Sequence, residues 1–234
     1  MTRFGGTGAL FRTLFLGGLF IGLGLIPVTQ SRAVEPGTEQ RDFTIYVDGN
    51  QAGAYSMSIT QRDDGSQIMA ASANVRVKYL GGLKVYRYSY RGTETWKAGR
   101  LVHFTSTSND DGKEFSVSVV PEGNGLRLRV NGRDRMARAD SWLTTYWHLA
   151  DAKFRNGRGV PLVDADTGQV LGAQLQYVEA RQMNVAGEVQ NCTHYRVTGD
   201  AQAELWYDAQ ERLIQLRSWS DGHRYELVLA TIRR

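Results

Sequence analysis

The sequence predicts a mainly β protein: one strongly curved antiparallel sheet or open barrel of about ten to twelve strands, with one helix packed against or roofing its concave face. Three observations predict it. Apolar and polar residues alternate with a period of two from Asp42 onward. Asp-Gly or Asn-Gly pairs separate the alternating segments at five places. A single aromatic-rich stretch, residues 139–154, instead spaces its large side chains as a helix does.

The chain begins differently. Arg3 and Arg12 give a basic start, Leu14 to Ile26 is apolar and broken only by glycines, and Pro27 ends the run. Ser31-Arg32-Ala33 then places small residues three and one positions before a cut after Ala33. Basic start, short apolar core and small-x-small exit are the parts of a secretory signal. An uncleaved anchor is the competing reading, but a spanning helix needs roughly 20 apolar residues and this run is shorter. With no cysteine near the cut, a lipid anchor is not indicated. The expectation is a signal peptide over 1–33 and a single exported β-rich domain over 34–234, periplasmic or secreted, with no membrane span after cleavage.

The first strands follow. Phe43, Ile45 and Val47 alternate with Thr44, Tyr46 and Asp48; Tyr55, Met57 and Ile59 with Ser56, Ser58 and Thr60; Val75, Val77 and Tyr79 with Asn74, Arg76 and Lys78. Tyr86, Tyr88 and Tyr90 share one face, and Phe115, Val117, Val119 and Leu126, Leu128, Val130 continue the pattern. Successive strand side chains face opposite sides, so each segment has one apolar and one wet face, as an antiparallel sheet requires. Asp48-Gly49, Asp64-Gly65, Asp111-Gly112, Asn131-Gly132 and Asp221-Gly222 tolerate the positive φ of tight hairpins.

In 139–154, Trp142, Leu143, Tyr146, Trp147 and Ala150 fall at helical spacing, with Asp140 or Ser141 as cap. A second run of strands is expected at 174–182, 193–199, 203–207, 212–217 and 224–230. Gly81-Gly82 and Gly157-Arg158-Gly159 read as turns, and Asp164 to Gly168 as a hairpin turn. The two runs rhyme: Glu94-Thr95-Trp96, Arg100-Leu101 and Asp111-Gly112 match Glu204-Leu205-Trp206, Arg212-Leu213 and Asp221-Gly222. Duplication of a three-strand unit and the repetition inherent in any meander both account for this.

Composition excludes several classes. The chain has 28 Lys+Arg against 24 Asp+Glu, and the signal removes three arginines and no acid, leaving 25 against 24. Such a balanced, scattered charge offers no patch for a nucleic acid backbone. The single cysteine, Cys192, allows no internal disulfide and no cysteine-based zinc cluster; it reads as a small buried strand residue. His103, His148, His194 and His223 are scattered, and neither a zinc-type histidine pair nor a Gly-x-Ser-x-Gly elbow occurs. No metal or other cofactor and no catalytic residue is indicated, so a non-enzymatic role is favoured over a hydrolytic one.

Leu205-Trp206-Tyr207-Asp208, Arg212-Leu213 and Asp221-Gly222-His223-Arg224-Tyr225-Glu226-Leu227 resemble the C-terminal signature of an exported bacterial family, domain of unknown function 6134. The related family 3108 is more distantly similar. Phe43 to Gly53, Trp96, Gly99-Arg100-Leu101 and Leu162-Val163-Asp164 with Thr167-Gly168 fit as well. The resemblance implies an exported β-sheet domain and supplies no activity, cofactor or catalytic residue.

About 8 strands already make a barrel that packs solid or holds one small ligand, so a larger closed sheet must fill its interior with something else. A helix bearing Trp142, Tyr146, Trp147 and His148 would plug the concave side or roof a cavity for a lipid-like or other apolar molecule; a sandwich would need neither. A structural or protein-interaction role in the cell envelope, through the polar outer face, is the alternative.

Overall fold

The structure, a computed structural model, describes residues 37–79 and 84–234. The expected signal, residues 1–33, and Gly81-Gly82 lie outside the described residues. Four strands come first: β1 (Thr38–Val47), β2 (Asn50–Gln61), β3 (Ser66–Tyr79) and β4 (Lys84–Lys97). They continue with β5 (Arg100–Asp110), β6 (Lys113–Glu122), β7 (Gly125–Val130) and β8 (Arg133–Arg138). A two-residue strand, β9 (Trp142–Leu143), precedes β10 (Asn156–Val163), β11 (Val170–Val185) and β12 (Glu188–Gly199). The chain closes with β13 (Ala203–Tyr207), β14 (Leu213–Ser220) and β15 (His223–Arg233).

All fifteen belong to one open sheet, in the order β8-β7-β6-β5-β4-β3-β2-β1-β15-β14-β13-β12-β11-β10-β9. The first and last strands pair in the middle, Val47 opposite Tyr225, and every pair is antiparallel except β9 with β10. The predicted turns explain the tight connections. Asp48-Gly49, Asp111-Gly112, Asn131-Gly132 and Asp221-Gly222 each hold two successive positive φ values, the Asp or Asn between 47 and 50°. That double left-handed geometry matches the twist of the flanking strands. Register shifts in β1, β4 and β11 add local bends, and bulges of this kind let a long sheet curl.

The alternation resolves as expected. Phe43, Ile45, Met57, Met69, Phe104, Val119, Leu128, Leu175, Leu205 and Leu227 all face one buried side. Among the described residues fifteen strands exceed the number expected because β8, β9 and β10 carry little or no alternation. In β8, Arg133-Asp134-Arg135-Met136-Ala137-Arg138 is charged on both faces, as suits an edge strand. In β10, Gly157-Arg158-Gly159 is not a turn: it sits at an irregularity in the pairing with β11.

The predicted helix over 139–154 does not form. Among the described residues the only helical piece is a single 3-10 turn, Ala152–Phe154. The rest of 141–150 is an irregular loop folded against the concave side, with β9 added beside β10. The physical reason is where its backbone groups find partners. Tyr207 Oη donates to the Tyr146 carbonyl (2.9 Å), Arg41 to that of Trp147 (2.9 Å), Trp142 Nε1 to that of His148 (3.1 Å) and Arg155 to that of Ala150 (2.8 Å). Side chains thus satisfy carbonyls that a helix would have bonded internally. Tyr146 takes φ +50°, which breaks any helical path.

Candidate functional site

The loop is latched from below by one carboxylate. In β4, Tyr88, Tyr90, Gly92, Glu94 and Trp96 all point inward, so Glu94 is carried into the core with no exposure at all. Its Oε2 accepts from Trp96 Nε1 (2.7 Å) and Trp147 Nε1 (2.8 Å), and its Oε1 from Thr145 Oγ1 (2.5 Å). Burial raises the Glu94 pKa to about 7, against the lowering effect of these donors.

The two indoles pinned by Glu94 hold the ring of His148 between them. Trp96 and Trp147 lie edge-on to it at 4.6 and 4.5 Å between ring centres. The His148 Nδ1 lies 3.0 Å from the Leu149 carbonyl, so that nitrogen carries the proton. Burial lowers its pKa, which keeps the imidazole neutral. No side-chain hydroxyl, thiol or carboxylate bonds this ring among the described residues.

Trp96 and His148 are shared by two clefts at the same end of the barrel. One, of about 500 Å³, is lined by Trp147 and Leu149 with Arg41, Arg212 and Arg234 around it. The other, of about 560 Å³, runs past Trp142, Phe154, Arg138 and Lys153. The charged rim is organised: Arg41 and Arg212 both bond Glu39, Arg212 also bonds Asp208 (2.6 Å), and Arg155 grips Glu211.

Acidic side chains also reach the concave side. The turn Asp164 to Gly168 joins β10 to β11 as predicted, yet its acids point inward. Asp166 Oδ1 accepts from Tyr88 Oη (2.6 Å), while Asp164 accepts from the backbone of Asp166 and Thr167. Burial raises the pKa of both acids, and the charge of Asp164 adds to the rise at Asp166. Tyr90 Oη occupies the place a side chain on Gly92 would take. Between Tyr55, Tyr88, Tyr90, Thr145 and Asp166 a void of about 30 Å³ remains, room for one water.

Three of the four expected site residues, Trp142, Trp147 and His148, line the end clefts. Trp142 and Tyr146 pack against each other (4.7 Å) on the loop's inner side. Glu94 and Trp96 were missed, although their inward parity with Tyr88 and Tyr90 is visible in the sequence. Cys192 is buried on β12 as expected, and burial raises its thiol pKa.

A curled, plugged, antiparallel sheet of this kind defines a β-barrel-like protein. Residues 43–230 match the family described as domain of unknown function DUF6134, and the chain belongs to that family. A β-barrel-like protein of domain of unknown function DUF1849 from Brucella abortus shares the fold: TM-score 0.61, 8% identity, covering 86% of this chain and 99% of that one. A candidate lipoprotein from Parabacteroides distasonis aligns with TM-score 0.33 at 9% identity over 84% and 95% of the two chains. A candidate outer-membrane lipoprotein-sorting domain from Vibrio parahaemolyticus aligns with TM-score 0.17 at 9% identity over 84% and 85%. A search of curated proteins finds no match.

Proposed function

We propose that this is an exported, non-enzymatic protein of the bacterial envelope that captures an amphiphilic molecule at the aromatic end clefts. The observation that carries the reading is the edge-on Trp96–His148–Trp147 cluster, fixed in place by the buried Glu94 and bordered by arginines. Rigid aromatic surface beside a few oriented charges is how most small-molecule sites combine affinity with orientation. The void of about 30 Å³ beside Tyr88 and Tyr90 cannot house an acyl chain, and the apolar part of the proposed ligand lies along the clefts. The neutral His148, with its Nδ1 held by a carbonyl, acts as packing surface and not as a base. Export with loss of residues 1–33 belongs to the same proposal.

The test is tryptophan fluorescence of delipidated protein titrated with anilinonaphthalene sulfonate, an anionic amphiphile. Saturable quenching is expected, weakened about tenfold in His148→Ala, a loss of roughly 1.4 kcal/mol. Non-saturable quenching, or a titration that folded His148→Ala leaves unchanged, contradicts the proposal.

A further inference from the structure

The outward face of β1 to β6 differs in kind from the rest of the surface. The sheet register aligns Gln40, Ser58, Ala70, Thr93, Thr105 and Ser118 in one row across six strands. The neighbouring row is Asp42, Ser56, Ser72, Arg91, Thr107 and Ser116. Short side chains on a bent sheet leave a groove of about 1410 Å³ over these rows. Asp42 is already neutralised by Arg233 and accepts from Ser56 and Thr231. Arg91 makes no ion pair among the described residues. Elsewhere the outward face carries long charged chains tied to one another: Arg196 to Glu204 and Arg217 to Glu226.

We propose that this groove binds an uncharged linear polysaccharide lying across the strands. Ser and Thr hydroxyls each donate and accept, as sugar hydroxyls do, so both partners can exchange their bonds to water for bonds to each other. Neighbouring strands lie about 4.7–4.9 Å apart, close to the length of one β-linked pyranose, so successive sugars meet successive strands. With Asp42 paired to Arg233, Arg91 is the single unpaired charge over these rows, too little to hold an anionic polymer. The groove lies on the outward face, while the end clefts open at one end of the barrel, so the two proposals stand or fall separately.

The test is isothermal titration calorimetry of the full exported protein with cellohexaose and with hexa-N-acetylchitohexaose. Saturable binding of at least one hexasaccharide is expected. Thr93→Arg, which fills the groove, is expected to weaken it about tenfold, and the Thr93→Val/Thr105→Val pair, which keeps the strand shape and removes two hydroxyls, to weaken it several-fold. Gln176→Arg, on the outward face of β11, is expected to leave it unchanged. Saturable binding of neither sugar overturns the proposal, as does binding that both Thr93→Arg and the valine pair leave intact, or that Gln176→Arg weakens equally.

Discussion

The tripeptides Glu94-Thr95-Trp96 and Glu204-Leu205-Trp206 occupy matching places in the two runs of strands, yet they face opposite ways. In β4 the Glu and Trp point into the core and hold the loop. In β13, Ala203, Leu205 and Tyr207 take the inward positions, and Glu204 and Trp206 lie on the opposite face, where neighbours cover Trp206. Outside, Trp206 stacks on His194 (4.4 Å), Arg181 and Arg217 pack over it, and Glu204 pairs with His194 and with Arg196 (2.8 Å). A duplicated unit would keep its face, because strand parity fixes every side chain at once. The rhyme is therefore a repetition of strand and turn chemistry, and the difference shows that flanking parity, not the motif, assigns a role.

The largest expected effect separates the two glutamates by stability. Glu94→Ala leaves three buried donors without an acceptor and opens a cavity, costing about 3–5 kcal/mol. Glu204→Ala removes a partly buried acceptor at the solvent edge and costs about 1 kcal/mol. Urea denaturation of both variants checks the pair, and equal losses would erase the distinction.

Next comes pH. Because the folded pKa of Glu94 is raised to about 7, the folded state binds more protons than the unfolded one between the ordinary carboxylate range and that value. Its contribution is fully present at low pH and is lost as pH rises through 7, on the order of 3 kcal/mol. Asp164 and Asp166, also raised, act in the same direction. Stability is thus expected to fall from pH 5 to pH 8. Glu94→Gln, whose amide can still accept from both indoles and donate to Thr145, is expected to flatten much of that fall in melts across the range.

Smaller effects sharpen the contrast at the turns after each Trp. Beyond Trp206, the buried Asp208 accepts from the backbone of Gln210 and Arg212 and from the Arg212 guanidinium. Asp208→Ala is expected to cost about 2 kcal/mol in denaturant titrations. Beyond Trp96 the turn is only Ala98-Gly99, with Ala98 held at φ 49°. Ala98→Asn suits that conformation and is expected to add about 0.5 kcal/mol, read as a small rise in melting temperature.

Much of the fold was legible because a single face is buried: the alternation marked the core residues, and the Asp-Gly and Asn-Gly pairs marked the hairpins. The loop misled for a definable reason. Trp142, Leu143, Tyr146, Trp147 and Ala150 do lie inward, but so do Thr144 and Leu149. A segment enclosed on most sides satisfies any period, and its partners (Arg41, Tyr207 and Glu94) come from strands far away in sequence. The inward acids Asp164 and Asp166 were hidden for the opposite reason, since an Asp-rich turn ordinarily faces water. Only Glu94 left a readable trace, a charged residue at an inward position between tyrosines and a tryptophan.

The indole N–H groups test the account most directly. In ¹⁵N NMR, the Trp96 and Trp147 Nε1–H signals should resist hydrogen exchange and shift together with pH around a midpoint of about 7, a transition that Glu94→Gln abolishes. Rapid exchange of both inner indoles, or a shared titration that Glu94→Gln leaves in place, would contradict the placement of Glu94 as the buried latch of the loop.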